Sequence, residues 1–559
     1  MTVNNPVVTN IEARHVWYLP PATPGSSDYH YVKEVHSYSD GSRVNNIKLI
    51  KDFKRSFWVT KPGKRLHSGK KELELLDNLN RYESTQSQLA FRVAQALEKP
   101  WFQGSLKDLH ENPYLYGTDI SSTALVKASY SRKNGDFMSP SSVAVFDIET
   151  YMGTGTICVA TLSFGDKVYT AVDRELLKGR VVGVPDIRRA FDKYLAKYKD
   201  RVKNWEVEIV DSEIDILKGI FQRAHEWQPD FVAVWNINFD IPKVIAACNR
   251  VGLDPKDLFS DPKLPSKFKY FRYKEAKKVK RTASGKEIPI NFADMWHTVF
   301  APASFYWVDA MCSYRKLRTQ KGELDSYALD YVLQLELGER KLNFSMADGY
   351  TDEAWHEFMQ EEYPVEYIIY NVFDCISVEL LDEKTMDLSL DLPISCKYSD
   401  YKDFESQPKR TVDELHFWTI ENVKSVLTTT SKDIITELDK LAPPNEDWIV
   451  NLKAYLLDDV GLELGPTQGD LITRFFIKNY DSDVSGAYPS NTIVFNISRE
   501  TQRRIVCRIE GKSINDLRNS GLNLSGGHTN AVEFCTTLFD LPNLDTLENA
   551  YLQHRARVN

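Results

Sequence analysis

Carboxylates recur in this chain in short segments whose spacing suits metal chemistry. The first reads Phe146-Asp147-Ile148-Glu149-Thr150, the second Trp235-Asn236-Ile237-Asn238-Phe239-Asp240, and the third Tyr370-Asn371-Val372-Phe373-Asp374. Asp147 and Glu149 are two apart behind the apolar run Val143-Ala144-Val145-Phe146, so on a strand both side chains leave the same face. Tyr370 and Asp374 are four apart in a helical pattern, which again gives one face. Asp240 stands where a helix opens after a strand, a place an aspartate also takes as a simple N-cap. Hard divalent cations prefer oxygen ligands. Two of them, about 3.5–4 Å apart, activate water, hold it in line and neutralise the leaving oxygen in phosphodiester hydrolysis. Without a cation the same acids would repel and raise one another's pKa. Each segment alone has a plain structural reading. Together, in this order and at strand and helix edges, they point to a two-metal site, with two Mg²⁺ ions expected and Mn²⁺ as the alternative.

A fourth segment, Asp483-Val484-Ser485-Gly486-Ala487-Tyr488-Pro489-Ser490, follows a strand candidate at 471–477 and has the shape of a polymerase catalytic strand-turn. Its plain reading is a surface aspartate before a proline-terminated turn. A fifth feature is basic: Lys267-Phe268-Lys269-Tyr270-Phe271-Arg272-Tyr273-Lys274, then Lys277 and Lys278, with a turn candidate at Ser284-Gly285. Alternating base and aromatic suits a β-ribbon that meets phosphates and stacks on unpaired bases; a solvated basic loop is the alternative.

The elements that must position these residues follow from pattern. Residues 1–135 mix short β-like runs with turns and a helical stretch near 71–97. Strands are expected at 143–146, 157–164 and 167–172, then an amphipathic helix at 212–227, a short strand at 231–235 and a helix at 241–251. Helices at 323–334 and 361–384 would close an α/β layer domain of RNase H-like type over 136–385. A linking helical region, 386–470, with a helix at 412–441 and a loop at Pro443-Pro444-Asn445, would lead to a partial palm at 471–559. The fold class expected is thus α/β and α+β multidomain, with a β-rich N-terminal domain first.

Composition agrees with a globular chain. The hydrophobic fraction is 42% in 559 residues, enough for several cores. No apolar run reaches the roughly 20 residues that span a bilayer, and residues 1–10 show no secretory signal. The seven cysteines are scattered without a C-x-x-C pair, which argues against a zinc site or disulfide framework and for a reducing cytoplasm. The net charge of −9 does not exclude nucleic acid, because local charge decides binding.

On these motifs the chain resembles a family B DNA polymerase of tailed-phage type, over its N-terminal domain, its 3′→5′ exonuclease domain and the start of its palm. The resemblance implies that Asp147 bridges two metals and that Glu149 and Asp374 hold the ion that activates water. Asp240 would support the second ion, Tyr370 would orient the water, and Asn236 would contact DNA. The second motif is one residue shorter between Asn236 and Asp240 than the phage pattern. Asp483 would be the first polymerase acid and Tyr488 the residue beneath the incoming dNTP sugar, with Gly486-Ala487 replacing the commoner Ser-Leu. The basic stretch matches the place of a hairpin that moves the primer end between sites, with Lys267, Lys269, Tyr270, Arg272, Lys274, Lys277 and Lys278 as DNA contacts.

The family's Asn-Ser-x-Tyr-Gly run and Asp-Thr-Asp hairpin are not found. Tyr116-Gly117-Thr118-Asp119 is superficially similar to the latter but reads as a loop. The expectation is therefore the N-terminal part of a split polymerase with a proofreading exonuclease. It would act on primer-template DNA and single-stranded 3′ ends, polymerising only with a second polypeptide that supplies fingers, remaining palm and thumb. A sliding clamp is a further candidate partner, no membrane is involved, and the compartment is the cytoplasm (the host's, for a viral protein). The alternatives are a stand-alone 3′→5′ exonuclease with a vestigial palm and a non-catalytic replication subunit.

Overall fold

The strand that carries Asp147 and Glu149 lies in the middle of a six-stranded mixed sheet. In the computed structural model, residues 6–99, 101–135, 137–281, 287–319, 322–394, 397–404 and 407–430 are described, all within one compact unit bounded at Ser431. The N-terminal region is β-rich. Strands β1 (Val8–Leu19), β2 (Tyr29–Tyr38) and β3 (Arg43–Lys51) form an antiparallel meander. Strand β4 (Arg55–Thr60) pairs with β6 (Leu79–Ser84) and β7 (Leu115–Tyr116), while β5 (Leu73–Leu75) pairs with β18 (Ser425–Leu427). Helices α1 (Leu89–Ala96), α2 (Leu106–Leu109) and α3 (Ser122–Asn134) complete this region. The helical stretch expected at 71–97 is thus two strands and a helix of only eight residues.

The large sheet comprises β8 (Val143–Thr150), β9 (Ile157–Phe164), β10 (Lys167–Asp173), β11 (Asn204–Val210), β12 (Phe231–Val234) and β17 (Tyr306–Asp309), in the order β11-β10-β9-β8-β12-β17. Only β9 runs against its neighbours; β10–β11, β8–β12 and β12–β17 are parallel pairs. The parallel pairs need crossovers, supplied by α4 (Val184–Tyr194), α5 (Glu213–Trp227) and α6 (Ile237–Arg250). Ser212 caps α5 by accepting from the Asp215 amide at 3.3 Å, and Ile214, Ile216, Leu217, Ile220 and Phe221 are its buried side, as the periodicity expects. Helix α6 begins at Ile237, four residues ahead of the expected start, so Asp240 lies inside its first turn and Asn236 is the capping position.

Beyond α6 come α7 (Pro255–Phe259), then β13 (Arg272–Lys274), β14 (Val279–Arg281), β15 (Glu287–Pro289) and β16 (Thr298–Phe300). Helices α8 (Ala310–Leu317), α9 (Leu329–Leu337), α10 (Asp352–Glu362) and α11 (Pro364–Thr385) follow, and then the short α12 (Leu392–Ile394) and α13 (Gln407–Trp418). Pro364 sits at the first helical position of α11 and separates it from α10, dividing a stretch whose pattern reads as one helix. Of the helix expected at 412–441, the described part is α-helical to Trp418 and continues as a π-helical turn over Thr419–Val423 before the chain enters β18.

Alternation along β8 divides two cores. Ala144, Phe146 and Ile148 pack with Ile216, Ile220, Ile241 and Val244 from α5 and α6. Val145, Asp147 and Glu149 leave the opposite face, where α11 lies, and Val145 packs with Cys375 and Val378. The described thiols are buried and unpaired: Cys158 on β9, Cys248 on α6, Cys312 on α8 and Cys375 on α11. No helix among the described residues is long and apolar enough to cross a membrane.

A buried ion network joins the N-terminal meander to the large sheet. Lys33 on β2 reaches Asp230, just before β12, at 2.7 Å, and Arg14 on β1 lies 3.9 Å from the same carboxylate. The Ser142 amide donates to Asp230 at 2.8 Å, and Lys33 also donates to the carbonyls of Gln228 and Pro229. Burial alone would raise the Asp230 pKa; the two cations overcome it and hold the carboxyl well below its ordinary value. Stability from this group is therefore present above the ordinary carboxylate range and lost as pH falls through it. We expect Asp230→Ala to lose about 3–5 kcal/mol of unfolding free energy in urea at neutral pH, since it strands Lys33 without a counter-charge. The gap to wild type should narrow as pH drops below about 4; a gap that is constant with pH would contradict the assignment.

Candidate metal centre

Three of the sequence-predicted acids converge. Asp147 and Glu149 from β8 and Asp374 from α11 each place a carboxylate oxygen within 4.8 Å of the others. Glu149 and Asp374 are buried and Asp147 partly so. The β8–β9 ladder carries a register shift between Glu149 and Thr150, a local irregularity of the kind that re-aims side chains at the end of a strand. Helix α11 faces them with Tyr367, Tyr370, Asn371 and Asp374, which at spacings of three, four and seven share one side. Asn371 donates to Asp147 Oδ2 at 2.7 Å, and the Tyr367 hydroxyl donates to Glu149 Oε2 at 2.6 Å.

Asp240 lies beside this trio rather than in it. It is 1% exposed, and the Ile148 amide donates to its carboxylate. That amide is free for the role because the β8–β12 ladder ends at Val145. Its Oδ2 has no partner, and neither do Asp374 Oδ1 and Asn371 Oδ1. Three buried oxygens without donors, around a trio of carboxylates, fit a hard cation bound by Asp147, Glu149 and Asp374 with Asp240 adjacent.

Sequence reasoning missed the positive charge in the site. Lys341, from the segment between α9 and α10, donates to Asp374 Oδ2 at 2.5 Å and to the Tyr370 hydroxyl at 3.0 Å. Burial would lower the lysine's pKa, but the neighbouring acids, Asp374 foremost, with Asp147 and Tyr370, together outweigh it and keep Lys341 protonated. No periodicity marks Lys341, which lies 33 positions from its partner. Tyr367 was also missed, although its helical spacing from Tyr370 and Asp374 was a usable signal. Tyr370 is 9% exposed, and burial first, then the Asp374 charge, raise its pKa, so it stays a neutral hydroxyl.

The acids themselves are strained electrostatically. Burial, then the charges of Asp240, Asp374 and Glu149, push the Asp147 pKa well up; burial raises Asp240 likewise. Burial lifts Glu149 to about 7 against the opposing hydrogen bond from Tyr367.

The remaining predicted residues lie elsewhere. Asn236 is exposed at the α6 cap position. The basic stretch is not one ribbon: Ser266–Phe268 is a helical turn, β13 pairs with β16, and β14 pairs with β15. Phe268 is buried and Tyr270 packs against the same core, while Lys269 is mostly covered 4.0 Å from Asp257. Arg272 lies over the Phe300 ring at 4.0 Å and Lys267 over Phe268 at 5.0 Å; Lys277 and Lys278 are exposed. Lys274 lies within β13, half-buried. Asp483 and Tyr488, the expected loop at 443–445 and the expected strand at 471–477 fall outside the described residues.

Compared with known proteins, the chain matches no family model and no curated protein sequence.

Two outcomes follow from buried, unbalanced acids. In chelator, Asp147→Asn should raise the melting temperature, by about 1 °C for each kcal/mol of relieved repulsion. Mg²⁺ should then stabilise wild type but not this variant in a thermal scan. The second is a pH dependence. Because Glu149 titrates near 7 when no cation is present, calorimetry should show divalent-ion affinity rising with pH, by up to about tenfold per unit below that value. A flat profile would sink the assignment of Glu149 as a ligand.

Proposed function

We propose that this chain is a two-metal 3′→5′ exodeoxyribonuclease of RNase H-like fold, serving as the proofreading part of a family B-type DNA polymerase. The observation that carries the reading is the convergence of Asp147, Glu149 and Asp374 within 4.8 Å, with Asp240 beside them and its Oδ2 unsatisfied. The sheet adds support. Its β10-β9-β8-β12-β17 run places the acid strand at the centre, inverts only β9 and lays a long helix, α11, across one face.

Asp147, Glu149 and Asp374 would hold Mg²⁺, with Asp240 supporting a second ion. The ions would supply a nucleophilic hydroxide near neutral pH and stabilise charge on the leaving oxygen. The chain's own groups do the rest. Asn371 fixes the Asp147 carboxylate by one oxygen, Tyr367 fixes Glu149, and Lys341 bridges Asp374 and the Tyr370 hydroxyl. Tyr370, neutral and anchored on a charged partner, can orient a water with its hydroxyl oxygen. Lys341 adds a positive charge where a phosphate oxyanion would lie.

The polymerase half of the proposal rests on Asp483 and Tyr488, and its partner set is dNTP and primer-template DNA.

Purified protein with Mg²⁺ should shorten a fluorescent single-stranded DNA from its 3′ end, and Asp147→Ala/Glu149→Ala should lose at least about 1,000-fold in rate, as expected when metal ligands are removed from a two-metal site. Lys341→Met should retain ion binding but lose about 10–1,000-fold in single-turnover rate. Equal rates in wild type and the double variant would overturn the exonuclease reading.

A further inference from the structure

One side chain touching the acid trio is fixed from a helix that supplies no ligand, and one of its partners there, His356, also lies 3.7 Å from Glu149 Oε2. The Tyr367 hydroxyl is buried on α11 and meets three groups: Glu149 Oε2 at 2.6 Å, His356 Nδ1 at 2.9 Å and Gln360 Nε2 at 3.1 Å. A phenol has one proton to give and two lone pairs to accept with. Opposite a carboxylate, which only accepts when ionised, that proton goes to Glu149. The oxygen then accepts from Gln360 and from the Nδ1–H form of His356. The second hydrogen on Gln360 Nε2 goes to the Thr150 carbonyl at 2.8 Å, and Gln360 Oε1 accepts from the Met152 amide at 3.4 Å. With Glu149 ionised, as a metal ligand must be, this assignment satisfies every group and aims the hydroxyl at the carboxylate.

We propose that Tyr367, held by Gln360 and His356 of α10, is a positioning residue that clamps Glu149 by Oε2 so that Oε1 is presented to the metal nearest Asp147 and Asp374. This rests on the two-metal reading and adds to it a determinant of metal affinity outside the ligand set. Helix α10 thereby becomes part of the site: through one glutamine it holds both the carboxylate's support and the backbone where β8 leaves the sheet. Hydrogen-bonded supports of this kind orient ligands and set how tightly the ion is held.

The test is Mn²⁺ binding to the full chain, followed by paramagnetic resonance of free Mn²⁺, for wild type and Tyr367→Phe. The phenylalanine keeps the ring and removes only the hydroxyl. The tighter ion should bind about 10–100-fold more weakly, with an unchanged melting temperature in chelator. Exonuclease turnover should return toward the wild-type kcat when Mn²⁺ is raised to saturation. Unchanged Mn²⁺ affinity would overturn the clamp while leaving the metal centre intact. Failure of wild type to bind Mn²⁺ would overturn the metal centre and the clamp with it. If Tyr367→Phe unfolds, Gln360→Met leaves the hydroxyl in place and removes a donor to it. A weaker loss in the same direction supports the clamp, and no loss overturns it.

Discussion

Like charges held together in a poorly solvated place set the terms for this structure. Three carboxylates from β8 and α11, with Asp240 of α6 beside them, share a space where water screens them poorly, and burial makes each charge costly. Such an arrangement persists only when the surrounding fold fixes the side chains so firmly that they cannot move apart. The fixing elements are visible. A central strand buried on both faces cannot rotate, a 22-residue helix packs along it, and each acid is held by at least one donor from a neighbouring element. Rigidity at the site is inherited from the sheet rather than built by the site itself.

How much of this could be read from residues alone varied with the range of the interaction. The period-2 alternation of β8 gave the acid-bearing face, because strand geometry leaves no other choice once Phe146 and Ile148 are buried. The period of α5 was equally plain. Asp240 was legible as an acid at a strand-to-helix junction, but not as a first-turn residue, because Asn236 takes the cap position. Residues 71–97 looked helical from composition, yet pairing of β5 with β18 and β6 with β4 overrides that propensity with contacts roughly twenty to several hundred positions away. Lys341 was invisible for the same reason: a lysine in an irregular segment carries no period, and only the fold brings it to Asp374. In the basic stretch the alternation of base and aromatic is divided between two strand pairs, and its aromatics Phe268, Tyr270, Phe271 and Tyr273 pack against the cores, which a local pattern cannot reveal.

The N-terminal meander is not an independent attachment. Trp17 donates to the Ala303 carbonyl, and Tyr31 to Asp261 at 2.6 Å, so β1 and β2 share a core with the strands that flank the site. With the Lys33–Asp230 pair, these contacts fix the edge from which β12 and then α6 emerge. Asp240 is therefore positioned in part by residues some two hundred positions earlier in the chain. A substitution in β1 or β2 would alter the acid site without touching it.

The four buried thiols among the described residues divide among the layers around the sheet. Cys158 sits in the core beside α4 and α11, Cys248 in the core under α5 and α6, and Cys312 and Cys375 in the core shared with the meander. An alkylating reagent reaches each only when its own layer opens, so the four positions act as native clocks of local breathing. Followed peptide by peptide, their relative labelling rates resolve which face of the sheet loosens first, with no probe introduced.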